Sequence, residues 1–196
     1  IFLLVGGNGG VVWAEQWGVS GVAALLVAPE PLWMILIATL HPRGWKPSPW
    51  GLLGVILGFA GIFFLIHPFQ STRHGDIDLI GAVVLILASL FWSIGSLYSR
   101  QAKLPSSPLL GTGMEMLAGG GGLLLLGILS GELKQLSLAS ISKESWLGLV
   151  YLIVFGSWIG FTAYTWLLRT APTPLVSTYA YVNPIVAVFL GYFIAE

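Results

Sequence analysis

Uncharged stretches long enough to cross a bilayer recur along this chain. Residues 47–72, 79–99, 145–168 and 170–195 contain no Asp, Glu, Lys or Arg. A hydrocarbon core of about 30 Å needs roughly 20 helical residues. Two more stretches qualify if each tolerates one carboxylate: 18–40 around Glu30, and 108–130 around Glu115. Residues 1–16 read as the remainder of another. The pattern therefore predicts seven membrane segments: A (1–16), B (18–40), C (50–67), D (77–99), E (108–130), F (146–168) and G (174–195). The apolar runs do not alternate, and in lipid only helices or closed barrels satisfy their own backbone, so helices are expected. The expected fold is an all-α polytopic membrane bundle.

Turn-forming residues fall between the segments. His41-Pro42-Arg43-Gly44 and Lys46-Pro47-Ser48-Pro49 separate B from C, Pro105-Ser106-Ser107-Pro108 separates D from E, and Ala171-Pro172-Thr173-Pro174 separates F from G. The one long connection, 131–145, has room for a short interfacial helix. Charge then orients the spans. Arg43, Lys46, Arg100, Lys103 and Arg169 lie in alternate loops that hold no acid, while the opposite loops mix Arg73, Lys134 and Lys143 with Asp76, Asp78, Glu132 and Glu144. The first set is expected in the cytoplasm. Trp13, Trp17, Trp45, Trp50, Trp146 and Trp166 stand near segment ends, as an aromatic belt requires.

Composition narrows the class. Of 196 residues, 56% are hydrophobic and 8% charged, and mean hydropathy is +0.90. Soluble domains carry about 25% charged residues, so a soluble domain is excluded, and so is disorder. The zero net charge leaves no basic footprint for nucleic acid. No cysteine is present, which removes disulfides, iron–sulfur clusters and thiolate zinc. The three histidines (41, 67 and 74) fall in loops or at span ends. No metalloprotease, serine-hydrolase or phosphate-loop motif is found. The chain reads as a non-enzyme without cofactor or metal. It begins on Ile1 inside one apolar run and stops at Glu196 just after another, which is expected of an internal piece of a longer chain.

Sliding residues 1–43 onto 154–196 matches layout more than identity. Trp13 meets Trp166, and Glu30-Pro31 meets Asn183-Pro184. Such a repeat unit holds about five spans. Five is odd, so the second copy would cross the membrane inverted, as in many transporters.

Several side chains are candidates for chemistry. Glu30 stands in Pro29-Glu30-Pro31 near the middle of segment B, where a carboxylate costs about 2.5–3.5 kcal/mol on insertion scales. The prolines remove backbone donors and break the helix, and a broken helix at membrane depth needs protein or a cavity around it. Glu30 is read as a cavity carboxylate for substrate or a coupling proton, or else as a neutral acid satisfying the kinked backbone. Glu115 shares a face of segment E with Thr112, Gly119 and Gly122; it lines a path or snorkels near the interface. Asn183-Pro184 interrupts segment G, so Pro184 is expected to break the helix, with Asn183 facing substrate or the freed carbonyls. Asn8 lies among Gly6, Gly7, Gly9 and Gly10, which allow unwinding or tight packing.

Mildly polar stripes complete the set: Ser89, Trp92, Ser93 and Ser96 on D; Trp158, Thr162, Thr165 and Arg169 on F; Ser177, Tyr181 and Pro184 on G. Together they predict an aromatic-walled polar cavity. Gly51, Gly54, Gly58 and Gly61 share one face of segment C and predict helix packing, with homodimerisation as one use.

YAYVNPIVAVFLGYFIAE at 179–196, WAEQWGVSGVAALLVAPEPLWMILI at 13–37, LFWSIGSLYSRQAKLP at 90–105 and GTGMEMLAGGGGLLLLG at 111–127 resemble, in this order, helices of EamA-type transporters of the drug/metabolite transporter superfamily. The resemblance implies ten helices in two inverted five-helix repeats. Residues 1–67 would be the last three helices of the first repeat, 68–76 the inter-repeat loop, and 77–196 the second repeat without its final helix. It also implies a secondary transporter, an exporter of small metabolites such as amino acids across the bacterial inner membrane by alternating access. A position-by-position carry-over puts Glu30, Asn183, Trp92 and Glu115 at or beside the cavity. The rival expectation is a non-transporting assembly or sensor subunit. Expected partners are a small-molecule substrate, membrane lipid and a coupling proton.

Overall fold

The computed structural model describes residues 1–16, 20–40, 49–50, 53–54, 56–57, 60, 79–134, 137 and 141–190, and every regular element among them is helical. Helix α1 spans residues 2–15, π-helical over Phe2–Asn8 and α-helical over Gly9–Glu15. Segment B is two helices, α2 (Ser20–Val27) and α3 (Glu30–Leu40). Helices α4 (Leu79–Gln101), α5 (Pro108–Leu129) and α6 (Lys143–Thr170) follow, and the middle of α6 is π-helical over Leu152–Phe161. Segment G is again two pieces, α7 (Thr173–Val176) and α8 (Tyr179–Leu190). Helices α4, α5 and α6 are each long and apolar enough to cross a membrane. Most of segment C, with Gly51, Gly58 and Gly61, lies outside the described residues. So do the loop 68–76, the loop 41–48 and the three histidines.

Local chemistry explains the boundaries. Ser107 Oγ accepts the Leu110 N–H at 3.4 Å and Pro108 opens α5, where a missing N–H costs nothing. Ser142 Oγ likewise accepts the Ser145 N–H at 3.1 Å. That cap starts α6 at Lys143, ahead of the charge-free stretch from which segment F was read. Glu144 in its first turn complements the helix dipole. The connection after α5 turns at Gly131, whose φ is 81°, into a 3₁₀ turn at Glu132–Lys134.

The two broken segments break for different reasons. In segment B, Pro29 has no N–H to continue α2, and the Leu32 N–H closes a tight bond to Pro29 O at 2.8 Å. In segment G the sequence pattern pointed to Asn183-Pro184, yet α8 runs through both residues. The interruption falls at Ser177-Thr178 instead. There Thr178 Oγ1 donates to Leu175 O at 2.7 Å, and the Thr178 and Ala180 N–H groups reach back only three residues, to Leu175 O at 3.3 Å and Ser177 O at 3.1 Å. A hydroxyl bonded to a nearby carbonyl offers the backbone an alternative to the helical ladder.

Helix α4 is the hub. It packs against α1, α2, α3 and the C-terminal part of α6, while α5 lies over the first half of α1. Small residues permit this closeness: a Cβ on Gly95 would sit 2.6 Å from Leu3 N, and one on Gly119 2.5 Å from the Leu4 side chain. The glycines around Asn8 serve packing in the same way, Gly7 lying against the Trp92 ring. Ala14, Ala23, Leu26, Ala82 and Leu85 form a buried cluster where α1, α2 and α4 meet. The outer faces of α5 and α6 are apolar and open, as at Leu117, Leu125, Leu147 and Phe155, a surface suited to lipid.

The crossing of the broken segments sets up the site. Helix α2 packs on α8 and α3 on α7, so the two interrupted spans run antiparallel and bring their breaks together. At one end of the bundle, Arg169 Nη1 donates to Pro105 O at 3.1 Å, joining two loops that charge assigns to the same side. A Cβ on Gly111 would come within 2.8 Å of Arg169 Nη2. Gly111→Ala is expected to displace this flexible side chain and lose the Pro105 bond. The lost bond, about 1 kcal/mol, offsets the about 1 kcal/mol by which alanine favours a helix over glycine, so the thermal unfolding midpoint should stay near wild type; in an Arg169→Met background, with no bond to lose, the same substitution should raise it.

Candidate functional site

The break in segment B puts Glu30 at the first turn of α3, at 1% relative exposure. Tyr179, at the start of α8, donates its hydroxyl to Glu30 Oε2 at 2.5 Å. Glu30 Oε1 is buried and has no partner. On α4 the stripe at helical spacing faces the same place. Ser93 Oγ shares its proton between Glu30 O at 3.1 Å and Ser89 O at 2.9 Å, and Trp33 Nε1 donates to Ser89 Oγ at 3.1 Å. One turn away, Tyr164 OH receives Trp92 Nε1–H at 3.1 Å and lies 2.7 Å from Ser96 Oγ. The Tyr164 and Tyr179 rings meet edge to face with centroids 5.3 Å apart. Phe161 packs edge-on against Trp92 at 6.3 Å.

Two cavities flank this cluster. One, about 350 Å³, is walled by Trp92, Phe161, Tyr164, Leu167, Val176 and Tyr179, with Gly156 and Gly160 of the π-helical stretch at its edge. The other, about 300 Å³, is lined by Glu30, Glu15, Asn8, Asn183, Ser89, Trp92 and Tyr179 together with small apolar residues of α1 and α2. Trp92 and Tyr179 belong to both, so they form the partition. No Lys, Arg or His is among the described lining residues of either cavity. Both volumes suit a small molecule held by aromatic walls and a few polar groups.

The site residues expected from sequence fall in several places. Glu30, Trp92, Asn8 and Asn183 line the second cavity, and Pro29 and Pro31 hold the break beside it. Asn8 and Asn183 are exposed. Glu115 instead ties α5 to α4: Ser99 Oγ donates to its Oε1 at 2.5 Å, while Oε2 is buried without a partner. Close by, Thr112 and Thr165 hydroxyls join α5 to α6 at 2.7 Å. Trp158 is 63% exposed and lines neither cavity. The side chains of Tyr181 and Pro184 lie outside the described residues.

Tyr164 and Tyr179 were not singled out from sequence. The stripe on segment G was counted through an unbroken helix, which selects Tyr181. The structure brings Tyr179, at the start of α8, to Glu30. The Tyr-Ala-Tyr run at 179–181 carries the signal for an aromatic there.

Comparison with known proteins agrees with these features. Residues 79–196 match the EamA-like transporter family. The chain is 37% identical over 192 residues to the uncharacterized inner membrane transporter YedA of Escherichia coli K12, covering 97% of this chain and 60% of that protein. It is 26% identical over 176 residues to a WAT1-related chloroplastic protein of Arabidopsis thaliana, covering 88% of this chain and 42% of that one. The chain thus spans about three fifths of the bacterial relative's length. One crystal structure shares the fold at a TM-score of 0.59 and 20% identity, over 96% of this chain and 66% of the other. A helical bundle with membrane-length spans, a buried acid at a helix break and a matching family over most of its length together make this chain a bacterial inner-membrane protein that belongs to the EamA-like transporter family.

Proposed function

We propose that the protein is a secondary transporter that exports small metabolites, such as amino acids or related compounds, by alternating access. One observation carries this reading: two interrupted helices cross antiparallel at a buried carboxylate, with a cavity on either side of an aromatic partition. Discontinuous helices meeting at a site between inverted repeats are a recurrent transporter design. In this proposal residues 1–67 belong to the first repeat, 68–76 connect the repeats, and 77–196 belong to the second of a ten-helix protein. Substrate occupies the space around Glu30, Trp92, Asn8 and Asn183, and Glu30 also takes the coupling proton. Rocking of one repeat against the other moves Glu30 and Asn8, in the first repeat, relative to Trp92, Tyr179 and Asn183, in the second, and so opens and closes the cavity that they line together.

The chain has no cysteine, so single reporters can be introduced cleanly. Ala24→Cys lies in the Glu30 cavity and Ala163→Cys in the other. In intact vesicles, a membrane-impermeant maleimide is expected to modify the two positions from opposite sides. Ala24→Ser and Ala163→Ser should not react. Failure of both cysteines to react from either side, with the protein folded, would mean solid packing and would end this reading.

A further inference from the structure

We propose that Arg169 and Glu115 form a two-position latch at the end of the bundle where the last turn of α6 meets the α4–α5 connection: Arg169 clasps that connection in this structure and pairs with Glu115 when the connection lifts away. The latch deepens the alternating-access reading, on which it rests for the use of the motion, and its test is independent of transport.

Two buried atoms carry the argument. Glu115 Oε2 and Arg169 Nη2 are both enclosed, and neither has a hydrogen-bond partner. Single buried charges are costly, and these two, of opposite sign, sit on neighbouring helices. Enclosure keeps solvent and ligand away from both atoms, so their partner has to come from the protein itself. Spacing supplies one. Arg169 Nη2 lies over Gly111, 2.8 Å from the place a Cβ would occupy. Glu115 stands four residues further along α5, a rise of about 6 Å. Helical side chains lean back toward the N-terminus, which for Glu115 is toward Gly111. The Thr112 and Thr165 hydroxyls, 2.7 Å apart, join α5 to α6 at the level between Gly111 and Glu115, so the guanidinium can swing while the helices stay seated.

Each side chain is held off by another contact. Ser99 Oγ donates to Glu115 Oε1 at 2.5 Å, and Arg169 Nη1 donates to Pro105 O at 3.1 Å. The second contact sets a full charge against one neutral carbonyl. When the connection lifts, Pro105 O leaves with it, and the guanidinium turns to the carboxylate, where its fork of donors suits two oxygens. A pair that forms as the clasp breaks keeps the two states close in free energy, so that a ligand can shift the balance between them.

Amide hydrogen exchange over residues 102–107 is followed by mass spectrometry on the intact protein in nanodiscs. The Leu104 N–H, 2.9 Å from Ala102 O, reports lifting of the connection. Glu115→Gln keeps an oxygen for Ser99 but removes the charge, so the lifted state loses its pair and exchange is expected to slow at least threefold. In an Arg169→Gln background the same substitution should change nothing. A Glu115 that merely ties α5 to α4 predicts unchanged or faster exchange instead. Ser99→Ala is the second variant: it frees the carboxylate and should speed exchange at least threefold, but only while Arg169 is present. Unchanged or faster exchange in folded Glu115→Gln, or a slowing that persists without Arg169, overturns the latch. Where Glu115→Gln does not fold, Ser99→Ala decides: no speeding, or equal speeding with and without Arg169, overturns it. Cysteine labelling reads alternating access separately. Labelling from opposite sides without these exchange changes would remove the latch and leave the transporter reading standing.

Discussion

Glu30→Gln is expected to cut substrate flux by about tenfold or more, with the folded protein still recovered. The two side chains have nearly the same shape. The introduced amide can still accept from Tyr179 through its oxygen, and the Ser93 bond goes to the backbone carbonyl, which the substitution does not touch. What disappears is the ability to carry charge or a proton. Removing one charged hydrogen-bonding partner costs about 1.5–3 kcal/mol, and 1.4 kcal/mol is a factor of ten in binding. Flux is measured in vesicles, and the thermal unfolding midpoint is measured on the same preparations. The midpoint should fall only modestly: the Tyr179 bond is kept, and the amide nitrogen that replaces the unpartnered Oε1 is a buried donor without an acceptor, at about 1–3 kcal/mol. Wild-type flux in Glu30→Gln would remove this carboxyl from the mechanism. Loss of folded protein would instead show that the acid holds the broken helices together.

Gly95→Ala should be among the most damaging single-methyl additions. The new Cβ would sit 2.6 Å from Leu3 N and 2.7 Å from Leu3 Cα. These are backbone atoms of a neighbouring helix, so no side-chain rotation relieves the clash, and α1 must move off α4. Overpacking of this kind costs about 1–3 kcal/mol. For a chain of this length each kcal/mol lowers the unfolding midpoint by about 2–4 °C. Gly113→Ala is the internal control: nothing lies within 4 Å of its Cβ position, and alanine favours a helix over glycine by about 1 kcal/mol. A drop for Gly95→Ala with no drop for Gly113→Ala is the expected pair. Equal behaviour would mean that α1 is not seated on α4 as described. Because Trp92 and Gly7 share this interface, loosening it should also disturb the partition between the cavities.

Much of this architecture can be read from composition and spacing. Charge-free runs locate helices α4 and α6, and a run holding the single carboxylate Glu115 locates α5, because lipid excludes charge over a fixed thickness, and that constraint acts on each segment alone. Pro29 and Pro31 mark the first break because proline lacks an N–H wherever it stands. The serines at 89, 93 and 96 align on one face of α4 by helical period alone.

Other features depend on neighbours. Segment G breaks at Ser177-Thr178, not at Asn183-Pro184, and there the Thr178 hydroxyl and N–H both turn back to the Leu175 carbonyl. That choice between local partners has no distinctive pattern in the sequence. It turns Tyr179 toward Glu30, which lies 149 residues away along the chain. Glu115 and Glu30 look alike as lone acids in apolar spans, yet one bonds Ser99 and the other lines a cavity. Periodicity tells which side chains share a helix face. Which faces then meet, and which oxygen is left without a donor, is settled only when the helices pack.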